Sequence, residues 1–97
     1  MRHSKSLSDE DLDQIEHRAA AAWPGPWQSF VEGRDHTSGS SIIRKGEGPN
    51  RGEDIEFTGV SEADQDFIAA AREDVPRLVH EVRELRAQVV ALRKQMK

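Results

Sequence analysis

The sequence predicts an α+β fold: an N-terminal helix, a small three-stranded antiparallel sheet, and C-terminal helices ending in a short parallel coiled coil. Three observations carry the prediction. Residues 8–22 show capped helical periodicity, residues 27–60 hold short β-branched and aromatic runs split by glycine-rich connectors, and residues 75–96 carry an unbroken heptad pattern. The chain divides accordingly into a flexible tail at 1–7, a small domain at 8–74 and a coil-forming helix at 75–97.

The first helix opens at Ser8, a capping residue, with Asp9, Glu10 and Asp11 in the first turn, where the helix dipole favours carboxylates. Leu7 and Leu12 occupy the two positions of a hydrophobic staple. Leu12, Ile15, Ala19 and Ala22 recur at helical spacing and mark the buried stripe. The helix ends near Trp23, because Pro24-Gly25-Pro26 cannot continue it.

Three strand-like runs follow, Trp27 to Glu32, Ser40 to Lys45 and Asp54 to Val60. Their connectors, 33–39 and 46–52, are rich in Gly, Ser, Asp and Asn, so an antiparallel meander is the simplest topology. Ile55 and Phe57 alternate with Glu56 and Thr58, as in a half-buried strand. A second helix opens at Ser61, with Phe67, Ile68 and Ala71 expected against the sheet. Asp74-Val75-Pro76 is expected to break or bend the chain before a third helix.

That last helix carries the most informative pattern. Val75, Leu78, Val82, Leu85, Val89, Leu92 and Met96 are spaced alternately three and four apart. Only helices that wrap a partner need such a seam, since a lone amphipathic helix drifts to a period of 3.6. Val75, Val82, Val89 and Met96 take the a positions, and Leu78, Leu85 and Leu92 the d positions. β-Branched a residues with leucine at d favour two parallel strands. Glu81 at g and Arg86 at the following e then meet across the interface with opposite charge. Val79 at e and Val90 at b widen the apolar surface. The competing expectations are a helix folded back over its own domain and a helix paired with a different protein. The pattern runs almost to the last residue, further than so thin a core needs to be covered, and this favours self-association.

Composition narrows the function classes. The chain has 97 residues, 35% hydrophobic and 33% charged, with no cysteine. This removes disulfides and thiolate metal sites, and leaves oligomerisation as the common support for so small a core. No apolar run follows Met1 to Ser6 and no stretch is long enough to span a bilayer, so a cytoplasmic location is expected. Net charge is −4, yet from Arg77 to Lys97 six cations oppose two anions, giving +4 there. A basic helix on an acidic body points to two surfaces, or to cations placed at a helix C-terminus.

Most candidate chemistry fails on spacing. Asp9, Asp11 and Asp13 begin like a calcium loop, but Gln14 and Ala20 stand where Gly and Glu are required. Asp13 with His17, and His80 with Glu84, each supply two ligands where a structural zinc needs four. Gly39-Ser40-Ser41 lacks the flanking glycines of a nucleophile elbow, and His36-Thr37-Ser38 has no second copy to complete a paired phosphoesterase site. No metal, cofactor or catalysis is expected. One constellation remains: Arg34, His36, Ser38, Ser40, Arg44, Lys45 and Arg51 lie in or beside the two loops, and together they suit a small anionic, nucleotide-like ligand. Nucleic acid is disfavoured, because the segment before the heptads, Glu62 to Asp74, is acidic rather than basic.

Trp23-Pro24-Gly25-Pro26-Trp27, and Phe67-Ile68-Ala69-Ala70-Ala71-Arg72 leading into Asp74-Val75-Pro76-Arg77-Leu78, support a resemblance. The chain resembles small proteins encoded by actinobacterial phages and prophages, distantly similar to Ead-type early-region proteins. The likeness spans most of the chain outside residues 33–53, with Trp23 in place of the threonine expected before Pro24. It implies a mobile-element setting and transfers no catalytic residue. The function expected is that of a non-catalytic homodimer, an adaptor or inhibitor, presenting its β/loop surface to a protein partner. The alternative is capture of a small anion.

Overall fold

The computed structural model describes residues 6–37 and 39–96. Helix α1 spans Asp9–Ala21. The Ser8 hydroxyl accepts the Asp11 N–H at 2.9 Å, and the Asp11 carboxylate accepts the Ser8 N–H at 2.8 Å. This reciprocal box satisfies donors that the first helical turn leaves unpaired, and the Ser8 N–H holds the Asp11 carboxyl below its ordinary pKa. Leu12 is only 1% exposed. The helix stops at an extended Ala22, just before Pro24.

The sheet is a meander of β1 (Trp27–Phe30), β2 (Ser41–Lys45) and β3 (Ile55–Phe57), antiparallel throughout, with β2 in the centre. The register pairs Gln28 with Arg44, Phe30 with Ile42, and Ile42 with Glu56. The strands are shorter than the β-rich runs that contain them, because the flanking residues turn into loops. Gly25-Pro26 is a cis peptide. The Trp23 indole donates to the Asn50 carbonyl at 3.1 Å and its ring lies on Gly52, where any Cβ would come within 2.8 Å. Gly46 sits at φ +76°, a left-handed conformation in which a side chain is strained, and a Cβ there would meet the Asn50 carbonyl at 2.6 Å.

Helix α2 is a single element, Glu62–Gln95, 34 residues and about 51 Å long. The expected break at Asp74-Val75-Pro76 does not occur. Pro76 lies inside the helix and forfeits one backbone bond, to the Arg72 carbonyl. Packing holds the helix on both sides of it, at buried Ala69 and at buried Val79. The coil-forming segment is therefore the continuation of a helix that begins against the sheet.

Sheet and α1 occupy successive lengths of α2. Gln65 and Ala69 face the sheet, where Gln65 is fully buried and donates to the carbonyls of Phe30 and Ile42. Phe67, expected there, is turned away and 75% exposed, while Ile68 and Ala71 face the joint with α1 and reach the sheet only at Trp27. Their spacing from Gln65 and Ala69 puts them on another face. Helix α1 runs antiparallel along the next stretch. The Arg72 guanidinium donates to the carbonyls of Ala19 and Trp23 at 2.7 and 3.2 Å, capping the end of α1. Arg83 bonds Asp13 and Glu16, and Arg86 bonds the Leu7 carbonyl. Residues 87–96 are exposed and run roughly 15 Å further. This extension explains a radius of gyration of 18.0 Å, against about 13 Å for a compact chain of this size.

Candidate functional site

The seam predicted along α2 is placed on one face of a continuous helix. Continuity lengthens it: Ile68 and Ala71 precede Val75 and Leu78 at the same alternating spacing. In heptad letters Ile68 is an a residue and Ala71 a d residue. Intramolecular packing uses the neighbouring e and b positions: Gln65, Arg72, Val79 and Arg86 at e, Ala69 and Arg83 at b. The a/d face stays largely open. Leu78 is 62%, Leu92 57% and Met96 85% exposed, and Leu85 and Val89 are also exposed. Val75 and Val82 are half-buried, beside Leu12 and Ile15 of α1 in an apolar groove.

Glu81 and Arg86 do not act together within one chain. Glu81 is exposed at g, while Arg86 sends Nη2 to the Leu7 carbonyl at 2.6 Å and Nη1 to Asp9 at 3.4 Å. Together with Arg83, it explains part of the basic charge of this segment: these cations match the acidic face of α1. Arg93 and Lys94 remain in the projecting turns, where they also oppose the C-terminal helix dipole.

The loop cations are dispersed. Arg34 forms a fork to Asp66 at 2.8 and 3.0 Å and also bonds Asp35 and Glu62. Three carboxylates thus surround one guanidinium, and Arg34 holds the Asp66 carboxyl at about 2, below the ordinary 3.8. Arg51 is paired with Asp54 at 3.0 Å. Arg44 and Lys45 are adjacent on β2 and so project to opposite faces. Arg44 lies over the Phe30 ring at 4.8 Å and Lys45 over the Trp23 ring at 5.7 Å. The His36 Nε2 is buried without a hydrogen-bond partner among the described residues, and Ser40 is exposed. Ser38 lies outside the described residues. Arg34 and Arg51 are thus engaged by carboxylates of their own chain, and Arg44 and Lys45 by aromatic rings.

The outer face of the sheet is a second surface, half-buried at its centre and exposed at its rim. Strand alternation places Gln28, Phe30, Ile42, Arg44 and Glu56 there, on the side opposite buried Ile43. It is a small platform, apolar at its centre and with both charge signs around it. The sequence points to a β/loop surface but not to these residues, because their exposure depends on which side of the sheet α2 covers. No helix of the described residues is long and apolar enough to cross a membrane. No family model, curated protein or solved structure matches the chain.

Proposed function

We propose that this chain is a non-catalytic, parallel homodimeric binding protein, joined through α2 and presenting the outer face of its sheet to a protein partner. The observation that carries this reading is the one-sided packing of α2. Sheet and α1 use chiefly its e and b positions, leaving Leu78, Leu85, Val89, Leu92 and Met96 of the a/d stripe exposed, with Val82 half-buried beside α1. A stripe of this length is a large apolar exposure for a small monomer. Valine at a and leucine at d favour two parallel strands. Glu81 of one copy then approaches Arg86 of the other, adding a contact to the one Arg86 makes with Leu7.

What supports the non-catalytic part is where the polar side chains of the described residues are engaged. Their hydrogen bonds go to helix caps, strand carbonyls and ion pairs rather than to a nucleophile held by a base. Phe30, Ile42 and Arg44 offer the aromatic, aliphatic and guanidinium groups that recur at protein contacts. The resemblance to phage-encoded proteins makes a host protein the expected partner.

Light scattering of the wild type and of Leu85→Glu tests the dimer. The wild type should have twice the mass of the 10.9 kDa chain, and the variant the mass of one. Leu85 is half exposed, so the variant should keep its circular dichroism. A monomeric wild type at high micromolar concentration would sink the reading.

A further inference from the structure

Two apolar hollows lie in line along the joint between α1 and α2. Val75, Leu78, Val79 and Val82 floor the first, with Leu12 and Ile15 as its outer wall, and its volume is about 190 Å³. Ile68, Ala71, Arg72 and Val75 floor the second, walled by Ala19, Ala22 and Trp27, and its volume is about 380 Å³. In heptad letters both floors read a, d, e, a. Four residues in that arrangement form the hole that receives a d-position knob from a parallel partner.

The two knobs differ in size. Leu78 of a second copy supplies the knob for the smaller hollow, and Ala71 the knob for the larger. A methyl group leaves most of 380 Å³ unfilled. Phe67 stands four residues before Ala71 on the same helix face, at a g position, and is 75% exposed. In a parallel pair, g residues lie against the partner's e residues, and here that e residue is Arg72, on the floor of the larger hollow.

We propose that Phe67 of each copy seats in the hollow between α1 and α2 of the other copy, so that self-association uses α1 as well as the seam. This rests on the parallel-dimer reading above. It gives Phe67 a function its own chain does not provide. The complete interface runs from Phe67 to Met96 and contains four helices, two central and two flanking.

Two measurements test this, with a control for the pairing itself. Because the chain has no cysteine, Leu92→Cys reports parallel pairing through a disulfide between equivalent d positions. Phe67→Ser should then weaken the dimer at least about tenfold with the monomer's fold unchanged, and Phe67→Leu should restore part of that affinity. Chain carrying photoreactive benzoylphenylalanine at position 67, mixed with isotope-labelled wild type, should crosslink to labelled residues 15–27. If Leu92→Cys links but Phe67→Ser has no effect, or the crosslinks fall elsewhere, the hollow is not the seat of Phe67 and only the coil remains. If Leu92→Cys does not link and the wild type is monomeric, the coil fails too, and this proposal with it.

Discussion

Gln65 Nε2 lies 2.9 Å from the Ile42 carbonyl oxygen, tying the start of α2 to the central strand of the sheet. The same nitrogen reaches the Phe30 carbonyl at 3.2 Å. One amide therefore serves two strand carbonyls in a site closed to water.

Replacing Gln65 by Met keeps volume and removes both donors. The two carbonyls then stay buried without these bonds, which should cost about 1–3 kcal/mol. Urea denaturation measures it. A variant as stable as the wild type would mean that the carbonyls find other donors.

Leu12 joins the two helices from the α1 side, opposite Val79. Leu12→Ala opens a cavity at a 1% exposed position and should cost about 2–5 kcal/mol. Ile15→Ala, half-buried beside the groove, should cost less in the isolated fold. Chemical denaturation of both variants below the dimerisation range gives the comparison.

The fork from Arg34 to Asp66 makes stability depend on pH. The Asp66 carboxyl is held at about 2 against an ordinary 3.8, chiefly by the Arg34 guanidinium. Its contribution is complete above 3.8 and disappears as pH falls through about 2, where the carboxylate takes up its proton. Asp66→Asn should therefore flatten the fall in thermal midpoint across that window. Both side chains are more than a third exposed, so added salt should shrink the difference. Identical acid profiles for variant and wild type would assign the window to other carboxylates.

Gly52 gives the Trp23 ring its seat. Gly52→Ala places a methyl 2.8 Å from the ring, and the ring must lift away from the loop. Tryptophan emission should shift to the red, with a stability loss of about 1 kcal/mol, at the lower end for overpacking because the indole is partly exposed. Unchanged emission would count against this packing.

Local chemistry was the legible part of this fold. Ser8 and its acidic first turn mark the start of α1, Pro24 marks its end, and the alternation around Ile55 marks a strand. Three features could not be read locally. Pro76 signals a break, yet the helix continues, because tertiary packing on either side outweighs one missing bond. Phe67 and Ile68 look like core, but helix phase gives the sheet Gln65 and Ala69 instead. A buried glutamine has no hydrophobic signature, and only strand carbonyls with open acceptor positions explain it. Of the candidate sites, the stripe on α2 was visible because period is a property of sequence. The engagement of Arg34 by Asp66 and of Arg86 by the Leu7 carbonyl was not, because those partners are distant in the chain and their approach is decided by the fold.

The unbroken passage of α2 through Pro76 also acts as a clockwork. Each residue turns the helix by about 100°, so a single insertion or deletion between Ala69 and Leu85 would swing the lower stripe round to the wrong side while leaving every local signal intact. Changes in length are tolerated there only in steps that restore the angle, about seven residues at a time. Variants one residue longer should fold normally in their upper half and lose their partner, whereas those longer by a whole heptad should keep it.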